Sequence, residues 1–322
     1  MSEDAIGSEL LEHFSTVPAA SSKSFIESLT EAVSRFSADV LLPQSSAEIG
    51  LVAEHANAIE AATGARVLAD TATTIQSLED KWNLASALEL DGSDFVPETR
   101  LCHSSHEVFA AATELGHPDY SVCVKPADAK GSRGFRIFCS PQARAEAIMR
   151  GRPDDPRLTL EEYCAALDAL GEPVRVLVME FVKGIERTVD VYCENGEILN
   201  GFVKTREGMR NGLAMRFEVV EHAQLWQSSK QIVEKFQCNF FLNIQFKGTK
   251  LLEVNPRVST FVWDDFFNMP LMGVLHAAGQ LSSKEVRRIP KPRHGVVARR
   301  YYDQTHRGEN PSFFEIPADT GR

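Results

Sequence analysis

The sequence predicts a mixed fold: a short α/β segment followed by a larger α+β body. Three observations carry this. Near the N-terminus, short apolar strands alternate with helical patterns, at Asp39-Val40-Leu41-Leu42-Pro43, residues 48–63 and Ala65-Arg66-Val67-Leu68. From Val174 onward, alternating strands come in hairpin pairs, one of them turning at Glu194-Asn195-Gly196-Glu197. Residues 251–260 then combine a strand with a carboxylate, an amide, a proline and an arginine.

In order along the chain, Phe25, Leu29, Val33 and Phe36 recur at helical spacing. Residues 48–63 read as one Ala-rich helix closed by Gly64. Asp80-Lys81 opens an amphipathic helix reaching about Leu90, and Val96-Pro97 marks a break. Ser121 to Pro126 reads as a strand, Ala127 to Gly134 as a loop, and Phe135 to Phe138 as a return strand. Residues 141–171 read as helical around a polar insert, Gly151 to Pro156. Val174 to Phe181 is a continuous apolar strand. Glu186 to Tyr192 pairs with Ile198 to Lys204. A helix over Gln224 to Phe236 precedes a hairpin over Phe241 to Asn255. Phe266 to Gly279 reads as a buried helix interrupted near Pro270, and Gly295 to Tyr302 as a final strand.

Composition narrows the function. The 322 residues suffice for two or three lobes. With 45 acidic against 34 basic residues, the net charge is −11, which disfavours nonspecific nucleic-acid binding. Six cysteines are scattered without a CxxC pair, so free thiols in a reducing compartment are expected. There is no secretory signal pattern and no apolar run of roughly 20 residues, so a cytoplasmic protein without a membrane span is expected.

The chemistry centres on Leu251-Leu252-Glu253-Val254-Asn255-Pro256-Arg257. On a strand, the i, i+2 spacing places Glu253 and Asn255 on one face. Hard oxygen ligands suit magnesium, which takes one or two carboxylates together with nucleotide phosphates. Pro256 stops the strand and Arg257 supplies a fixed cation beside the metal. Lys125-Pro126-Ala127-Asp128-Ala129-Lys130-Gly131-Ser132-Arg133-Gly134 delivers a lysine from a strand into a small-residue loop fit for phosphates. It is not a Walker loop, and a basic hairpin with a solvated loop is its plain alternative. Met179 to Glu186 reads as a buried strand end passing through Gly184. Such an extended linker can offer backbone groups to an adenine edge, although an ordinary strand end would look the same.

These segments, in this order, resemble the ATP-grasp superfamily, and the 251–260 run is similar to the carbamoyl phosphate synthetase large-subunit type. The resemblance covers about residues 38 to 302. It implies an ATP-grasp fold, two α+β subdomains gripping ATP, preceded by a partial βα pre-ATP-grasp domain of which residues 38–70 resemble only the second half. The implied boundaries are 1–78 for the pre-domain and 79–322 for the ATP-grasp domain, divided into 79–180 and 181–322. The resemblance implies that Lys125 grips the α- and β-phosphates and that Gly131, Ser132 and Gly134 cover the nucleotide as a lid. It implies that Glu180 and Val182 frame the adenine, Glu186 takes the ribose hydroxyls, and Lys81 reaches the phosphates from below.

The same resemblance makes Gln245 a third ligand of magnesium (or manganese) beside Glu253 and Asn255, but the hairpin here is shorter than the family's. A two-residue loop at Gly248-Thr249 would pair Gln245 with Leu252 and turn it away from Glu253. An odd loop, Gly248 to Lys250, would pair it with Glu253. Lys204, Arg206, Arg210 and Arg216 could hold a substrate carboxylate or a transferring phosphoryl group, or equally form a solvated charged hairpin.

The implied activity is ATP-dependent ligation of a small carboxylic acid to an amine, or less commonly a thiol, through an acyl phosphate, with release of ADP and phosphate. Lys125, Arg206 and Arg257 would supply the catalytic cations. The alternatives are carboxyphosphate or carbamate chemistry and a non-catalytic ATP-binding protein. Small-molecule substrates are the expected partners, with no nucleic acid and no membrane; a homodimer is compatible with the sequence.

Overall fold

The computed structural model describes residues 8, 11–127, 133–210 and 213–301. The N-terminal elements are α1 (Phe25–Arg35), β1 (Val40–Leu41), α2 (Ile49–Glu54), α3 (Ala56–Thr63), β2 (Arg66–Val67) and α4 (Ala72–Glu79). β1 and β2 pair in parallel, with Val40 opposite Arg66, as βα alternation requires. The single helix expected over 48–63 is two helices, because His55 leaves helical geometry at φ −105°, ψ 5°. Gly64 closes α3 at φ 75°, in the left-handed region where a side chain is disfavoured. Phe25, Val52, Ile59 and Val67 form the small core of this part.

The middle of the chain builds a sheet of order β3-β7-β4-β5-β6. In chain order it comprises α5 (Lys81–Leu90), β3 (Thr99–Cys102), α6 (Ser105–Glu114), β4 (Val122–Pro126), β5 (Arg136–Phe138), α7 (Pro141–Arg150), β6 (Arg157–Leu158), α8 (Leu160–Leu170) and β7 (Val176–Glu180). Asp80 caps α5 by accepting from the Trp82 and Asn83 amides at 3.0 and 2.9 Å. It also pairs with Arg175 at 2.8 Å, fixing the helix to the segment before β7. α6 and α8 pack with Val122, Val124 and Val178 into one core. The predicted helical stretch over 141–171 instead contains β6. The chain re-enters helix at Thr159, whose capping box with Glu162 starts α8.

The C-terminal part is a sheet of order β12-β11-β8-β9-β10-β13. Its elements are β8 (Glu186–Glu194), β9 (Glu197–Arg206), β10 (Arg216–Val220), α9 (Ala223–Lys235), β11 (Phe240–Lys247), β12 (Lys250–Asn255), α10 (Met269–Ala277), α11 (Ser283–Val286) and β13 (Val297–Arg299). α9 lies on one face, where Val189, Val191, Val203, Ile232, Ile244 and Val254 form a core. At one end of the opposite face, Tyr192 and Phe241 meet α10. The approach is close enough that a Cβ on Gly273 would lie 2.2 Å from the Phe241 ring. Pro270 does not interrupt this helix. It occupies the first turn, where its missing N–H costs nothing, behind the Asn268 cap. Among the described residues no helix is long and apolar enough to cross a membrane.

Candidate active site

Alternation on β8, β9, β11 and β12 sends apolar side chains to α9 and polar ones to the other face. That polar face and the face of the five-stranded sheet turned away from α6 and α8 line a cavity of about 420 Å³. Lys81, Lys125, Glu180, Val182, Glu186, Arg206, Gln245, Glu253, Asn255 and Arg257 all line it. Residues as distant in sequence as Lys81 and Arg257 therefore share one cleft.

The hairpin of β11 and β12 resolves the register question in a way that loop length does not anticipate. The loop has two residues: Lys247 pairs with Lys250 and Phe246 with Leu251. The register then shifts, and Gln245 pairs with Glu253. Leu252 is the extra residue of a β-bulge. The bulge lets Leu251 stay in the core opposite Phe246 while Glu253 turns to the cleft beside Gln245. An odd loop is not needed. The carbonyl that the bulge frees on Leu252 accepts from Lys125 Nζ at 3.2 Å. One irregularity thus sets the carboxylate on its face and holds the lysine of the other sheet.

Burial pushes the Lys125 ammonium down to about 8, helped by Lys81 and opposed by Glu253. An approaching polyanion would reverse that shift. Gly134, at φ 72°, ends the loop after β4, and a Cβ there would sit 2.7 Å from Pro126. It forms the foot of the loop against Pro126 and is not part of the cleft wall. Gly131 and Ser132 lie outside the described residues.

The polar face is a connected lattice. Asn255 Nδ2 donates to Glu253 Oε1 at 3.2 Å and to Asn243 Oδ1 at 3.4 Å. Gln245 Nε2 donates to Asn243 Oδ1 at 3.0 Å, and its Oε1 accepts from Arg206 at 2.5 Å. Arg206 also pairs with Glu186. Beyond them, Asn243 Nδ2 donates to Asp190 at 2.8 Å, and Asp190 pairs with Lys204 at 3.0 Å. Asn243, Asp190 and Thr188 were not among the residues predicted for the site. Two-residue spacing from Gln245 and from Glu186 was the available signal. Lys204, one of the open choices, is not a solvated hairpin residue; it is 1% exposed.

The remaining predicted residues are placed as follows. The Glu180 carboxylate accepts from the Glu98 amide at 3.1 Å and lies 3.7 Å from Lys250, so it is committed to the cleft's edge. Val182 lies beside Phe181, whose ring carries Lys247 Nζ 4.7 Å from its centroid. Arg257 Nε donates to Ser46 Oγ at 3.1 Å, joining the end of β12 to the N-terminal part. Lys81 is the first residue of α5. Arg216 is engaged by Glu207 and Glu218 at 2.6 and 2.7 Å, which answers its solvated alternative in favour of a surface ion-pair cluster.

Among the described residues there is no cluster of three or more His, Cys, Asp and Glu side chains fit to hold a metal by itself. One carboxylate with amide oxygens, Glu253 with Asn255 and Gln245, matches the sparse protein ligation that magnesium uses when phosphates complete its shell. Gln245 could contribute its oxygen only by exchanging Arg206 for the ion. All six cysteines are free thiols. Burial raises Cys123, beside Lys125 in sequence, to about 12, so it stays protonated.

Residues 172–300 match a protein-family model described as an ATP-grasp in the biosynthetic pathway with Ter operon. Over 217 residues the chain is 24% identical to the carbamoyl phosphate synthase large chain of Clostridium acetobutylicum, covering 62% of this chain and 18% of that protein. The fold is similar to N5-carboxyaminoimidazole synthetase from Staphylococcus aureus in complex with ADP. The TM-score is 0.60 and the identity 14%, covering 92% of this chain and 71% of that one. It is also similar to an L-amino acid ligase from Bacillus licheniformis. Here the TM-score is 0.58 and the identity 12%, covering 85% of this chain and 65% of that one. The chain thus matches an ATP-grasp family model over 172–300, and its two α+β halves facing across a polar cleft have the ATP-grasp fold.

Proposed function

We propose that the cleft binds ATP as its magnesium complex and that the protein is a carboxylate–amine ligase working through an acyl phosphate. The observation that carries this reading is the meeting of Lys125, from the five-stranded sheet, with Glu253 and Asn255, from the six-stranded sheet, at one bulge. A lysine with its charge depressed by burial gains most from a phosphate ligand. Lys125 holds the phosphates, Glu253 and Asn255 hold the ion, and Arg257 and Lys81 add positive charge around them. When bound, magnesium offsets charge on the transferring phosphoryl group. Gln245 serves by fixing Arg206 and Asn243 and joins the ion only if Arg206 moves. Catalysis is then positioning and charge neutralisation, with no nucleophilic side chain required. In this reading residues 1–78 belong to the pre-domain and residues 79–322 form the ATP-grasp domain, with the two sheets as its halves.

The ligase named for Bacillus licheniformis and the synthetase named for Staphylococcus aureus support ligation as the reaction class. The test is ADP and phosphate release from ATP and magnesium against pooled carboxylic acids, with and without pooled amines. Release that depends on both pools is expected; indifference to either would contradict ligation. The likeness to the carbamoyl phosphate synthase large chain favours a second reading, carboxyphosphate chemistry. Bicarbonate replacing the acid pool as the required substrate would select it.

A further inference from the structure

The buried ion pair at the end of the polar lattice lies behind the cleft wall and is not itself part of it. Lys204 and Asp190 are each 1% exposed. The Asp190 carboxylate is fully engaged, by Lys204 at 3.0 Å, by Thr188 Oγ1 at 3.1 Å and by Asn243 Nδ2 at 2.8 Å. Lys204 Nζ has three protons and three takers: Asp190, the Thr260 carbonyl and the Phe261 carbonyl, the last at 3.3 Å. Its charge also lies 5.5 Å from the Phe202 ring centroid and 5.0 Å from that of Phe217. Burial draws its proton affinity down, and Asp190 draws it back.

The segment that Lys204 grips is unusual. Phe261 has φ 58°, a left-handed conformation costly for a bulky side chain. Its ring packs on Phe217 at 4.2 Å. Immediately before it, Arg257, Ser259 and Thr260 line the cleft. A strained turn persists only where its surroundings over-determine it, and here the two carbonyls flanking the strain are held by one buried ammonium.

We propose that Lys204, anchored by Asp190, is a positioning residue that fixes the 257–261 turn and so shapes the acceptor side of the cleft. Asn243, which donates to Asp190, holds Asn255 and Gln245 by separate bonds that do not involve Lys204, so the ion-binding face does not depend on the pair. The proposal rests on the ligase reading only in assigning this turn to the acceptor.

The test uses the full chain carrying Asp190→Asn together with Lys204→Met. The pair is removed as a unit because either change alone could leave an unpaired buried charge and unfold the protein. Amide hydrogen exchange over residues 258–262 is expected to quicken at least tenfold, with exchange over 241–255 little changed. ATP binding in magnesium should stay within twofold by calorimetry. In the pooled-acid assay, the acid concentration for half-maximal ADP release should rise tenfold or more while that for ATP stays within twofold. Unchanged exchange over 258–262 would overturn the proposal. So would equal losses for acid and ATP, which would mark the pair as a general support of the sheet. If the parent protein releases no ADP with any acid, the ligase reading falls, and the exchange and calorimetry still decide whether the pair fixes the turn.

Discussion

The two sheets that face the cleft are built on different terms. The six-stranded sheet presents a lattice in which Glu186, Arg206, Gln245, Asn243, Asp190 and Lys204 are each held by their neighbours. The five-stranded sheet presents one half-buried lysine, Lys125, whose ammonium donates to a carbonyl of the other sheet. The first is preorganised without a ligand. The second supplies charge that its own surroundings disfavour and that a phosphate would stabilise. An anion-binding cleft needs both: a fixed frame to place the ion and a cation whose interaction strengthens on binding.

Breaking the charged side should have the largest effect. Lys125→Ala is expected to lower turnover by about 10²–10³-fold, the order seen when one preorganised donor to developing charge is removed. Steady-state ADP release checks this. Breaking the frame at the ion should come next: Glu253→Ala should weaken ATP binding in magnesium by about 10–100-fold, by analogy with losses at metal sites. Calorimetry with and without magnesium would show it. Without the ion the parent and the variant should bind ATP alike.

The pH dependence separates the two sides further. The Lys125 charge is intact well below about 8 and lost above it. ATP affinity should therefore be flat at lower pH and fall about tenfold per unit above 8, since binding must recover the proton. The stability of the unliganded protein should move the other way. The folded lysine titrates at about 8 and the unfolded one near 10.5, so the unfolded chain holds more protons between these values. Lys125 thus makes stability rise with pH in that window. Lys125→Ala should remove both slopes, measured by calorimetry and by denaturant titration.

The smallest effect is expected at the bulge. Deleting Leu252 leaves Leu251 and Glu253 adjacent on opposite faces, so the Gln245–Glu253 register should survive. The Lys125–Leu252 bond goes, which is worth about 1–3 kcal/mol for a charged donor. ATP affinity should fall by about tenfold, with the far-ultraviolet spectrum unchanged.

How much of this was legible depended on how local the signal was. Glu253 and Asn255 share a face because period 2 is written in the strand. The parallel pairing of β1 and β2 followed from βα alternation. Gln245 could be named, but its face stayed open, because it depends on one bulged residue that no loop count reveals. Lys204 was left open between a substrate-holding cation and a solvated hairpin residue; only the fold brings Asp190, Phe202, Phe217 and the 260–261 carbonyls around it. β3, β6 and β10 were not read from the sequence and are set by their neighbours in the sheet.

The central claim is that this cleft transfers a phosphoryl group from ATP to a carboxylate. Oxygen-18 placed in the carboxylate of an acid that drives ADP release tests it most directly. The account predicts that one labelled oxygen per turnover appears in the released phosphate. Label retained wholly in the organic product, or formation of AMP and pyrophosphate, would contradict it.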